Sequence, residues 1–167
     1  IQNEFTGASR AKAKRNLLDI LDEKHDFDLP PKMVDQEFNQ IWQQLQAEMD
    51  AGRTAEEDKG KSEDEVKEEY RTIAERRVRL GLVLAEIGRV ADIQISEQEV
   101  QQALINEARN FPGQERQVIE FFQKDPNAMA QLRAPIYEEK VVDHILDVAK
   151  VKDETVSKED LLKEDDE

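Results

Sequence analysis

Cysteine is absent from the 167-residue chain. That excludes disulfides, thiolate metal sites and cysteine nucleophiles, and says little about compartment. Histidine is scarce, with only His25 and His144, so few nucleophile–base pairs can be assembled. Aromatic residues make up 5% of the chain and tryptophan occurs once. A compact globule of this length would bury about 70% of its unfolded surface. The apolar material is too thin for one thick core, so a thin, elongated body is expected, as one domain or two small helical lobes. No apolar run approaches the roughly 18 residues of a membrane span; the densest, Leu80 to Ile87, contains Gly81 and Glu86. Positive charge is the scarcer sign, 24 Lys and Arg against 39 Asp and Glu, for a formal −15. Nucleic-acid backbones and anionic membranes recruit basic faces, so neither is expected as a partner. Neither an initiator Met nor a signal peptide is present, and Ile1 falls in a segment that reads as helix. A piece of a longer chain is expected.

What is present is helical periodicity, nearly throughout. Ala13, Leu17, Leu18 and Leu21 form a stripe widened by Ile20, in a first helix running to about His25. Leu29-Pro30-Pro31 breaks it, and Pro31 suits the first position of a second helix. Val34, Phe38, Ile41, Trp42, Leu45 and Met49 then share one face. Residues 50–62 hold no apolar residue but alanine and include Gly52 and Gly60, as expected of a mobile, solvated loop. Ser62 to Glu65 is a capping box. The helix it opens carries Val66, Tyr70, Ile73, Ala74 and Val78, then turns apolar on most sides through Leu80, Leu82, Val83, Leu84 and Ile87. Such a helix is expected to be buried, as a central strut. Gly81 and Gly88 lie on one face of it, for close approach by another helix or for a hinge.

Residues 90–95 read as a short extended connector, and Ser96 to Glu99 as a second capping box. Val100, Leu104 and Ala108 mark the helix that follows, and Phe111-Pro112-Gly113-Gln114 turns the chain. A short helix spans Glu115 to Lys124, and Asp125-Pro126 caps and starts the last one. Pro135 inside that pattern is expected to kink it or split it in two. Residues 153–167 hold eight acids and two lysines. Val151 and Val156 could dock as an extended piece, ahead of an acidic, disordered end.

Residue patterns for chemistry are mostly missing. His144 lies in a helix, but a di-iron bundle needs Glu-x-x-His, and position 141 is Val. No metal, cofactor or catalytic residue is expected. The segment from Gly81 to Gly88 lacks the Lys and Ser/Thr of a phosphate loop. Adjacent carboxylates such as Glu138-Glu139 are too abundant to be informative. Arg10, Lys12, Lys14 and Arg15 crowd the first helix, and Arg71, Arg76, Arg77 and Arg79 the central one. They serve either as salt bridges to neighbouring helices or as an anion-binding patch.

One apolar feature remains. Phe111, Phe121 and Phe122 are three of the six phenylalanines, set within twelve residues and beside Val118, Ile119 and Met129. Phe121 and Phe122 project about 100° apart on a helix, so one small core hardly hides both. They pack the tip of a lobe, or they form an exposed patch that meets other proteins. A flexible methionine such as Met129 would suit a binder of varied sequences.

The segment from Glu69 to Ile87, EYRTIAERRVRLGLVLAEI, closely resembles the central helix of the C-terminal domain of bacterial trigger factor. Other pieces fall in that family's order: Leu29-Pro30-Pro31 with Val34 to Phe38, Ile95 to Val100, Val118 to Lys124, Met129 to Arg133 and Glu138 to Val142. Ala149 to Val151 with Thr155 to Ser157 resembles its tail. No single motif is diagnostic; their order and spacing are.

The resemblance implies an all-α fold: an elongated multi-helix body with helical arms and short extended connectors, like the helical core of SurA-like chaperones. It implies residues 1–152 as the chaperone domain and 153–167 as the acidic tail. It further implies a cytoplasmic, ATP-independent chaperone that binds unfolded or nascent polypeptides. The family's ribosome-docking loop and its FK506-binding-protein-type prolyl isomerase domain have no counterpart in this sequence. Ribosome contact would therefore run through other domains, and this chain would not itself be an enzyme. Client-binding positions correspond to Phe111, Val118 and Phe121, with Phe122 and Met129 beside them. Weak self-association stays open. Two other readings are a helical adaptor for one folded partner and a periplasmic chaperone with a similar core.

Overall fold

The computed structural model describes residues 2–53, 55, 58 and 60–149, and the side chains of these from residue 7 onward. The expected acidic tail, with Val151 and Val156, lies outside the described residues, as do positions 54, 56, 57 and 59 of the expected loop. Six α-helices and no strand occur among the described residues: α1 (Gln2–Lys24), α2 (Pro31–Asp50), α3 (Glu63–Val90), α4 (Glu97–Ala108), α5 (Glu115–Lys124) and α6 (Pro126–Val148). The chain is all-α, as its periodicity requires. It divides into two compact units, with the boundary between Val83 and Leu84 inside α3.

Local chemistry accounts for most helix ends. Pro31 opens α2, where its missing N–H is an orphan in any case. At α3, the Ser62 amide donates to Glu65 Oε2 at 2.8 Å while the Glu65 amide donates to Ser62 Oγ at 3.3 Å. Ser96 and Glu99 repeat the exchange at α4. Asp125 accepts from the amides of Asn127 and Ala128, at 2.8 and 3.3 Å, and Pro126 begins α6. Each device satisfies amides that have no partner inside the helix.

In the first unit, Leu21, Val34, Ile41, Val66, Ala74, Val78, Leu80 and Val83 are buried. Phe38 and Trp42 stack at 6.0 Å on α2. Lys67 Nζ lies 5.2 Å from the Trp42 ring and the Arg71 guanidinium 5.9 Å from Phe38, so α3 covers α2 with cations over rings. All four arginines of the α3 cluster meet carboxylates. Arg71 donates to Asp35 at 2.9 Å, Arg77 to Glu37 at 3.0 Å and Arg79 to Asp22 at 2.7 Å, and Arg76 bonds Asp19. Of the two uses expected for that cluster, the structure shows salt bridging.

In the second unit, α4, α5 and α6 pack on one another around Leu104, Ala108, Ala128, Val141 and Val142. Gly88 permits a close crossing here. A Cβ at that position would run into the Tyr137 ring and lie 2.8 Å from Val141 Cγ2.

Several expectations need correction. Gly81 is exposed, with nothing within 4 Å of where a Cβ would stand, so it serves no close approach. The part of α3 expected to be buried all round keeps Leu80, Val83 and Leu84 inside, but Leu82 and Ile87 are half-buried. Upstream, Ile73 is 40% exposed. Helix α3 continues through Val90, so the connector starts later, in a turn at Ala91 and Asp92. Pro135 does not split α6, which runs unbroken from Pro126 to Val148. Within the stretch expected to be solvated, Asp58 is buried, and Tyr70 Oη donates to its carboxylate at 3.1 Å.

Candidate functional site

The phenylalanine cluster lies in the second unit. Helix α4 ends at Ala108, and the Phe111 amide donates to the Ala108 carbonyl at 3.0 Å. Gly113 then takes φ 85°, a conformation that glycine adopts without strain. The Glu115 carboxyl in the first turn of α5 is held below the usual carboxylate range by the amide of Gly113 and by its own. On the polar face, Arg116 donates to Glu120 at 2.8 Å, and Lys124 lies 3.5 Å from the same carboxylate. Both partners lower the Glu120 pKa, Arg116 more. A ten-residue helix is marginal in isolation; these pairs run along its polar face, and the Asp125 amide closes its C-terminal end on the Phe121 carbonyl at 3.0 Å.

The opposite face of α5 is apolar and no residue of α5 is buried. Phe121 is 56% exposed and Phe111 47%. Phe122 and Val118 are half-buried on α5, and Met129 is half-buried on α6. Phe121 and Phe122 meet edge to face with centroids 5.5 Å apart. Such a pair presents one ring to solvent while the other anchors it. Phe122 turns inward to line an open, mainly apolar cleft of about 570 Å³ with Ala103, Leu132, Pro135 and Ile136. Phe111, Val118, Phe121 and Met129 are not in that lining. Of the expected residues, then, Phe111 and Phe121 face solvent, Val118 and Met129 are half-buried, and Phe122 forms part of the cleft wall.

Exposed apolar side chains that the sequence reading passed over include Met33, Val148 and, in this unit's α4, Ile105. Ile105 of α4 is 44% exposed, beside the stripe of Val100, Leu104 and Ala108. Its offset from that stripe was a signal that it faces away.

At the entry to α4, Lys140 of α6 donates to the Gln94 carbonyl at 2.6 Å and to Glu99 Oε2 at 2.9 Å. Lys140 foremost, then the Ser96 hydroxyl and amide, lower the Glu99 pKa to about 2. One carboxylate therefore closes the capping box and ties α6 to the start of α4. Among the described residues, no three acidic or histidine side chains form a metal-binding group. No helix among them is long and apolar enough to cross a membrane.

These features define an all-helical domain with aromatic side chains left at its surface. Residues 1–147 match the family model described as the bacterial trigger factor protein C-terminus. A trigger factor from Hyphomonas neptunium is 71% identical over all of this chain and 38% of its own length. One from Maricaulis maris is 60% identical over 95% of this chain and 31% of its own length. A solved structure of trigger factor domains from Thermotoga maritima superposes with a TM-score of 0.69, covering 84% of this chain and 83% of that one at 17% identity. The chain belongs to the bacterial trigger factor family. It spans roughly a third of the length of these two relatives and is the family's C-terminal domain, not its isomerase domain.

Proposed function

We propose that this domain holds unfolded and nascent polypeptides, without ATP, through apolar side chains at Phe111, Val118, Phe121, Phe122 and Met129. The observation that carries the reading is the exposure of Phe121 and Phe111, 56% and 47%, on a short helix and the turn before it. A ring left in water at a braced helix offers apolar area at little ordering cost. Burying one such side chain contributes about 1.5–3 kcal/mol at most. Weak holding by one spot becomes useful affinity when a single flexible client reaches several. The charge of −15 keeps copies of such a surface apart. The whole protein would work in the cytoplasm, with ribosome binding and prolyl isomerisation in its other domains.

The test is an NMR titration of the labelled chain with a permanently unfolded polypeptide rich in Phe and Leu. Shifts are expected at all five positions, with affinity rising as apolar segments are added to the client. Phe111→Ala with Phe121→Ala should weaken binding by roughly tenfold or more, on the scale of one buried side chain. No shift at high client concentration would overturn the reading and favour an adaptor with one folded partner.

A further inference from the structure

Helix α1 is attached to its unit in an unusual way. Among its described side chains Leu21 alone is buried, while Leu17 and Leu18 are half-buried and Ile20 is exposed. Its charged contacts to α3 are better developed. Arg76 bonds Asp19 and reaches Asp22 at 3.9 Å, and Arg79 donates to Asp22 at 2.7 Å. The side chains of Asp22 and Arg79 are only 20% and 22% exposed. Among the described residues Arg79 Nε is buried without a hydrogen-bond partner, and Arg79 Nη1 donates to Asp22. By helical spacing Leu80 and Val83 continue the Arg76–Arg79 face of α3, as Leu18 and Leu21 flank Asp19 and Asp22 on α1.

We infer that this ladder is a salt-operated latch: ionic strength sets how tightly α1 docks on α3, and its release uncovers the apolar positions on both helices. The inference does not depend on the Phe cluster, which lies in the other unit. Raising salt from about 0.01 to 1 M shortens the Debye length from about 30 to 3 Å. That weakens ion pairs and leaves apolar contacts in force. A joint made largely of the former opens first, and a released α1 frays because isolated helices are marginal in water. The α2 side of the same arginine cluster, Arg71–Asp35 and Arg77–Glu37, is backed by buried Val34 and Ile41. It stays closed.

The test is amide hydrogen exchange of the full 167-residue chain across that salt range, read separately for α1, α2 and α4. Protection of residues 10–24 should fall roughly fivefold to tenfold with salt while α2 and α4 hold, since screened pairs of this exposure are individually weak. Asp19→Asn with Asp22→Asn should lower α1 protection at low salt to the same level and remove its salt dependence. Exchanging the charges of one pair, Arg76→Asp with Asp19→Arg, should keep part of the protection and of its salt dependence, the loss coming from the Arg76–Asp22 attraction. Salt-independent protection of α1, or loss in α1 and α4 together, would overturn the inference. So would an asparagine variant that keeps wild-type protection; the salt titration of the unaltered chain stands even if that variant does not fold.

Discussion

Helix α3 serves two units that are held by different means. Up to Val83 it meets α1 and α2 with four arginines over carboxylates and two cations over rings, around a modest row of buried valines and leucines. From Leu84 onward it belongs to a unit in which alanine, valine and a glycine allow close packing, with Val141 and Val142 fully buried. The second unit also carries the two most exposed of the described phenylalanines, Phe121 and Phe111.

The comparison breaks most sharply at Leu104, 6% exposed in the core of the second unit. Leu104→Ala should cost about 2–5 kcal/mol by urea unfolding, with hydrogen exchange in α2 unaffected. Loss of α2 protection as well would mean that the units share one cooperative core. The two α3 glycines come next. Gly88→Ala must displace Tyr137 and should cost about 1–3 kcal/mol, part of it recovered by adding Tyr137→Phe, since the hydroxyl is the nearest obstacle. Gly81→Ala meets nothing and should stabilise by about 0.5–1 kcal/mol, because alanine loses less freedom in a helix. Thermal melts of the two variants should move in opposite directions.

The smallest effect is a pH dependence in acid. The Glu99 pKa is lowered from 4.5 to about 2 in the folded chain, so the unfolded state takes up the proton first as pH falls. The stability Glu99 contributes is complete above its ordinary pKa and is lost between pH 4.5 and about 2. Glu99→Gln should flatten the acid unfolding curve in that window, with α4 and the Gln94 connector losing protection at neutral pH. An unchanged acid limb would mean that the Lys140 clasp does not form in solution.

Helix existence, caps and turns were legible because they depend on neighbours a few residues away. Ser62 with Glu65, Ser96 with Glu99, and Asp125 with Pro126 each carry their partner within the same turn. The angle between Phe121 and Phe122 said that one small core hardly hides both rings, but only the structure shows that Phe121 is the one left in water. What failed needed a distant partner. Nothing near Gly81 or Gly88 in the chain says which one Tyr137 will face. The burial of Asp58 depends on Tyr70, 12 residues on, and the Lys140 clasp spans 41 residues to Glu99. The basic cluster on α3 was readable as salt bridges to neighbouring helices ahead of an anion patch, but which carboxylates it meets, Asp19, Asp22, Asp35 and Glu37, took the structure to show.

Composition and period by themselves determined that this chain would be helical, free of cysteine chemistry, acidic, and short of material for one thick core. The family resemblance was carried by residue order and spacing alone. Only the tertiary structure decided which apolar residues stay in water and which charges find partners. Helical periodicity says that a residue lies on a face; it does not say whether another helix covers that face. That depends on contacts between segments far apart in sequence, where burial, screening and close approach are settled together.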